Sequence, residues 1–220
     1  QTIINEIEEI LSKIDHLFEI RLIGGEPFVN PNIYEMISYA TNLSKVSYVV
    51  IYTNATIKLS KEKLLSNNID FNKLSFSITD YGDKLSRQLN QVTGILDDLK
   101  IPYRAHLPEW WTDSGRIINI ERTEEELKNL FKNCCGKNLF TLTDNKLYRC
   151  PFAANADRLN GIPKDERNYV DISEPIERIV DYIGDIDYIP ACKYCKGRSW
   201  DTPQIEPAIQ TRKPLVYEKY

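Results

Sequence analysis

Two apolar periods alternate along the first half of the chain, and this alternation constrains the fold most. Ile3, Ile7, Ile10, Leu11, Ile14 and Leu17 fall on one helical stripe across residues 3–17. "FEIRLI" (18–23) then reads as a strand. In "NPNIYEMISYA", Asn30 is the expected N-cap and Pro31 the first helical residue, with Ile33, Met36, Ile37 and Ala40 on one face. "SYVVIYTN" (47–54) is β-rich, "SKEKLLSNN" is a short helix, and "KLSFSIT" (73–79) alternates with Leu74, Phe76 and Ile78 on one side. Leu85, Leu89, Val92, Leu96 and Leu99 mark another helix, and "IPYRAHL" (101–107) a further strand. A helix followed by repeated β-α units predicts an α/β fold on a parallel sheet.

The repeat breaks near residue 108. "PEWWTDSG" is a loop or strand end, and Thr123 with Glu126 makes a capping-box pair ahead of Leu127, Leu130, Phe131 and Cys134. "LFTLTDNKLYRC" (139–150) predicts a β-hairpin turning at Asp144-Asn145. Residues 155–170 are polar and read as a loop. Ser173 is the expected cap of a helix bearing Ile176, Ile179, Val180 and Ile183 and ended by Gly184. The tail reads as mostly irregular. The expected division is 1–120 for the α/β part and 121–220 for a cysteine-rich α+β extension.

The 220 residues suffice for a buried core. A net charge of −4 argues against a general nucleic-acid binder, which needs a basic footprint. No apolar run is long enough to span a membrane and no signal-peptide pattern opens the sequence, so a cytoplasmic protein is expected.

All five cysteines lie beyond residue 133: Cys134, Cys135, Cys150, Cys192 and Cys195. An odd count without a secretory signal fits disulfides poorly. Cys192-Lys-Tyr-Cys195 is a CxxC, which turns two sulfurs toward one point. With Cys150 at the hairpin end and Cys134 before it, four thiolates come from two separated segments. Cys135 is the alternative to Cys134. The set suits a structural Zn(Cys)₄ site or a [4Fe–4S] cluster; the plainer alternative is buried free thiols.

"LIGGEPF" (22–28) ends the first strand. As local structure it is a strand-to-helix turn, with glycine supplying φ > 0 and Pro27 stopping the strand. Yet Thr53 and Asn54, then Ser77, Thr79 and Asp80, also stand at strand ends. Ligands of parallel α/β barrels bind at that rim, where missing Cβ atoms admit a ligand and a carboxylate receives an ammonium group.

"RLIGGEPFVNP" followed by "YTNAT" and "SITDYG" resembles the radical S-adenosylmethionine (SAM) superfamily. The resemblance implies a partial (β/α)₆ barrel of the TIM type. It assigns Gly24, Gly25, Glu26 and Pro27 to the amino group of SAM, and Ser77 with Asp80 to the ribose, beside Thr53 and Asn54. The cysteine tail is similar to the auxiliary-cluster extension of SPASM/Twitch type, with Cys134, Cys150, Cys192 and Cys195 as ligands. There Asn145 stands where glycine is usual, and Asn tolerates the same left-handed backbone. "LYRCPFAANA" and "CKYCKGR" look similar to radical SAM proteins encoded beside surface-polysaccharide genes.

The superfamily's CxxxCxxC loop, which holds the catalytic [4Fe–4S] cluster, is absent from these 220 residues. The expectation is therefore a fragment lacking the first barrel strand and unable alone to cleave SAM. In a longer parent an oxidoreductase would draw on an external electron donor, make a 5′-deoxyadenosyl radical and modify an undefined small-molecule, peptide or sugar substrate. Arg104, His106, Glu109, Trp110 and Trp111 are candidates for touching it, although paired tryptophans more often pack. Arg198 beside the CxxC is either a donor to cluster sulfides or simply exposed. The competing readings are a zinc-stapled binding module and a degenerate, non-catalytic radical SAM relative.

Overall fold

Residues 2–108, 111–113, 117–199 and 202–207 are described by a computed structural model of the chain. They group into two units, one of Ile10–Glu109 and one of Thr2–Glu9 with Trp110–Tyr220.

The first unit alternates strands and helices: β1 (Leu17–Leu22), α2 (Ile33–Asn42), β2 (Val46–Thr53), α3 (Lys61–Ser66), β3 (Leu74–Thr79), α4 (Leu89–Asp98) and β4 (Tyr103–His106). The helix α1 (Thr2–Lys13) precedes them. The strands form a four-stranded parallel sheet in the order β1-β2-β3-β4. This is the predicted α/β class. Sequential order with right-handed crossovers puts the connecting helices on one face. That face is sealed: Val49, Ile51, Leu74, Phe76 and Ile78 are buried, as are Ile37, Leu64 and Leu96 on the helices. The opposite face carries Tyr52, Ser77 and Arg104 in one register row, half-buried to exposed.

Several local expectations shift. Leu17 opens β1 rather than closing α1, because its amide donates to the Lys45 carbonyl at 2.8 Å and joins the ladder. Asn30 does not cap α2. Its side chain instead accepts the Asn32 amide at 3.0 Å in a turn, and the helix starts at Ile33. Leu85 lies ahead of α4.

The second unit holds α5 (Glu124–Asn133), a sheet of β6 (Thr141–Thr143), β7 (Lys146–Tyr148) and β8 (Tyr169–Asp171), with α6 (Pro151–Arg158) and α7 (Ile176–Gly184). Thr123 and Glu126 close the predicted capping box on α5. The β6-β7 hairpin turns at Asp144 and Asn145, whose φ of 53° and 59° suit an inward-twisting two-residue turn. The loop expected over 155–170 holds only over 159–165. Residues 151–158 form α6, with Pro151 at its first turn and Ala153, Ala154 and Ala156 buried, and β8 begins at Tyr169. Ser173 does not cap α7. Its hydroxyl donates to Asp171 at 2.7 Å, and Pro175 holds the cap position. In the tail, Pro190–Tyr194 forms a 3₁₀ turn, and β9 (Gln204–Ile205) pairs with β5 (Trp111–Thr112). Among the described residues no helix is long and apolar enough to cross a membrane.

Candidate functional site

The Gly-Gly-Glu-Pro corner is built around Glu26. Pro27 is buried and opens a 3₁₀ turn over Pro27–Val29, and Glu26 caps it by accepting the Phe28 amide at 3.2 Å. The same carboxylate accepts the Thr53 hydroxyl at 2.8 Å and the Asn54 amide at 2.9 Å. Three of the predicted rim residues therefore meet at one point, where β1 and β2 end. A carboxylate offers about four lone-pair sites, so these three donors leave acceptor capacity free. Gly24 and Gly25 are exposed, and a Cβ on either would meet no atom within 4 Å. Neither has positive φ, contrary to the turn-based expectation. Among the described residues, nothing in the packing requires glycine there.

The other rim residues are less tightly tied in. Asp80 accepts the Gly82 amide at 2.8 Å and donates its own amide to the His106 carbonyl at 2.8 Å, so it belongs to the turn after β3. Ser77 sits on the half-exposed sheet face between Tyr52 and Arg104. His106 Nδ1 lies 3.0 Å from the Leu107 carbonyl. Trp111 is exposed in β5; Glu109 and Trp110 lie outside the described residues.

The second unit gathers the cysteines. Cys134, Cys150, Cys192 and Cys195 all line one partly open cavity, together with Leu130, Phe131, Phe152 and Ile189. Cys134 is the residue just past α5, Cys150 caps α6, and the CxxC spans the 3₁₀ turn and its exit. Three sulfurs accept backbone amides: Cys134 from Gly136 at 3.4 Å, Cys150 from Ala153 at 3.5 Å and Cys195 from Gly197 at 3.3 Å. Such bonds stabilise sulfur carrying negative charge. Cys135 is exposed and does not line the cavity; its amide donates to the Arg198 carbonyl at 2.7 Å. All five cysteines are free thiols. Among the described residues no group of three or more His, Cys, Asp or Glu side chains is arranged to hold a metal ion.

Burial pushes the Cys150 thiol up to about 11 and the Cys192 thiol up to about 12, and raises Cys195 as well. Each is raised further by the charge of neighbouring thiols in the set, Cys134 among them. Buried thiols resist ionising without a nearby cation, and a metal ion that displaces their protons offsets that cost. At Cys195, the Gly197 amide, Arg122 and Arg198 act in the opposite direction.

The scaffold around the thiols uses residues that periodicity and motif spacing do not reveal. Arg122 Nη1 donates to the carbonyls of Cys192 at 3.1 Å and Cys195 at 3.0 Å, clamping the CxxC loop. Arg149, buried, donates to the carbonyls of Lys137, Tyr182 and Ile183 and to Asn138 Oδ1, all neutral oxygens. Asn168 accepts the Ala191 amide at 2.7 Å on its side chain and the Tyr182 hydroxyl at 2.6 Å on its carbonyl. Tyr182 in turn accepts the Arg149 amide at 3.2 Å, so one polar chain links the residues preceding Cys150 and Cys192.

Compared with protein-family models and with curated proteins, the chain matches none.

Proposed function

We propose that the second unit holds an iron–sulfur cluster on Cys134, Cys150, Cys192 and Cys195, and that the first unit presents a SAM-binding rim at Gly24–Pro27, Thr53 and Asn54. The chain would then be the SAM-binding and auxiliary-cluster portion of a radical SAM oxidoreductase, with its sheet an arc of a partial barrel. The observation that carries this reading is the lining of one cavity by all four of these cysteines.

The donor set fits the group. Four thiolates, amide donors to three of the sulfurs and an apolar wall are what such clusters take from a protein. A four-iron cluster spreads its thiolates over separate corners, whereas zinc draws four sulfurs into a shell at about 2.3 Å. The resemblance of the cysteine pattern to an auxiliary-cluster extension is what favours the cluster over the zinc staple.

When bound, the cluster would supply one-electron chemistry. The chain's own residues would anchor it, shield it with Phe131, Phe152 and Ile189, and brace the CxxC loop through Arg122. On the other unit, Glu26 would receive the ammonium of SAM on its free acceptor capacity, held in place by Thr53 and Asn54. Gly24 and Gly25 would let the methionyl part approach the backbone. Ser77 and Asp80 are proposed at the ribose. No CxxxCxxC loop exists in these residues, so the proposal assigns them binding and not radical generation.

Purification without oxygen, followed by assay of iron, acid-labile sulfide and zinc, tests this reading. Iron and sulfide in equal amounts support it. Stoichiometric zinc without sulfide supports the zinc-stapled module instead.

A further inference from the structure

The four-cysteine cavity has one feature that ligand spacing does not explain. Arg198 Nε is buried and has no hydrogen-bond partner among the described residues, and Arg198 lines the cavity. A shielded guanidinium N–H without an acceptor is costly, because the protein has removed its water and returned nothing. The backbone of Arg198 is already used, its carbonyl accepting the Cys135 amide at 2.7 Å.

Charge points the same way. Among the described residues, the charged ones lining the cavity are Lys137 and Arg198, both cationic, and no carboxylate lines it. Among the described residues, the hydrogen bonds of the buried Arg149 side chain, next to Cys150 in sequence, go to neutral oxygens, and its guanidinium lies over the Phe131 and Phe140 rings. Arg122 reaches the carbonyls of Cys192 and Cys195. Buried cations without carboxylates are stable where another anion offsets them. Four thiolates with a cluster carry net negative charge and fill that role.

We infer that Arg198 donates a hydrogen bond from Nε to a sulfur of the group held at the four-cysteine cavity, and thereby raises that group's reduction potential. This rests on the cluster reading proposed above. Adding one electron from an external reductant makes the cluster more negative, and a cationic donor stabilises that state more than the oxidised one. Arg198 is a positioning and tuning residue and not a ligand.

The test is a redox titration with dithionite on anaerobically prepared full chain, followed by electron paramagnetic resonance. Arg198→Gln is compared with Lys196→Gln, which removes a neighbouring exposed charge paired with Asp113. The expected result is equal iron content in all three proteins and a lower midpoint potential in Arg198→Gln alone. Unchanged potential at equal iron content overturns the inference and leaves the cluster reading standing. Absence of iron and sulfide from the unsubstituted chain overturns both. Should Arg198→Gln fail to load, the unsubstituted protein labelled with ¹⁵N-arginine decides. The Arg198 Nε–H resonance, assigned by its absence from unloaded Arg198→Gln, supports the contact if it is displaced on cluster loading and overturns it if it is not.

Discussion

A side chain at Gly197 would collide with Leu130: a Cβ built there stands 2.8 Å from Leu130 Cδ1, and the backbone φ is +90°. The φ requires glycine two residues after Cys195, and a Cβ would also make Leu130 shift; the Gly197 amide reaches the Cys195 sulfur. Gly197→Ala is therefore expected to destabilise the second unit by roughly 1–3 kcal/mol and to lower its cluster content. Gly184→Ala, where a Cβ meets nothing, is the control and should melt at or above the parent temperature. Thermal unfolding and iron content measure both.

At the rim, the prediction separates fold from binding. Gly25→Ala should leave stability unchanged, since a Cβ there meets no atom within 4 Å, yet should weaken SAM binding by blocking approach to the backbone. Glu26→Gln keeps an oxygen for Thr53 and Asn54 but loses the charge. It should weaken SAM binding by about 1.5–3 kcal/mol, which is tenfold or more. Calorimetric titration with SAM checks both variants; parent-like affinity in Glu26→Gln would remove Glu26 from the ammonium site.

Asp157 gives a pH signature. Burial pushes its carboxyl up, but the Tyr148 hydroxyl at 2.7 Å and Lys164 at 3.1 Å outweigh that and hold it below the ordinary carboxylate range. A depressed carboxyl contributes stability that is present above the unfolded value of about 3.9 and lost as pH falls toward the folded value. The melting temperature of the second unit should drop on acidification below about pH 4. In Asp157→Asn that acid limb should flatten. A limb of parent steepness in Asp157→Asn would mean that other carboxylates govern acid unfolding.

Much of this fold was legible because its signals are local. The alternation of Leu74, Phe76 and Ile78 states one buried sheet face, and Asp144-Asn145 supplies the left-handed backbone of the hairpin. Helix α6 was missed because it buries alanines, whose small apolar area is hidden among polar neighbours. Its start was nonetheless readable in Pro151 after a capping Cys150. At the site, the CxxC and the Gly-Gly-Glu-Pro corner stood out by spacing. Asn168 and Arg122 did not, because each reaches a partner distant in sequence, Ala191 in one case and Cys192 in the other. No periodicity encodes such bridges. Gly197 carried a signal in principle, a glycine closing the turn after the CxxC, but its positive φ and its contact with Leu130 need coordinates.

The central claim is that Cys134, Cys150, Cys192 and Cys195 together hold an iron–sulfur cluster. The most direct measurement is iron and acid-labile sulfide per chain in five single Cys→Ala variants prepared without oxygen. The account predicts about four iron atoms in the parent and in Cys135→Ala, with loss of iron and of visible charge-transfer absorption in the other four. A parent without iron and sulfide, or iron lost in Cys135→Ala and retained in Cys134→Ala, would contradict it.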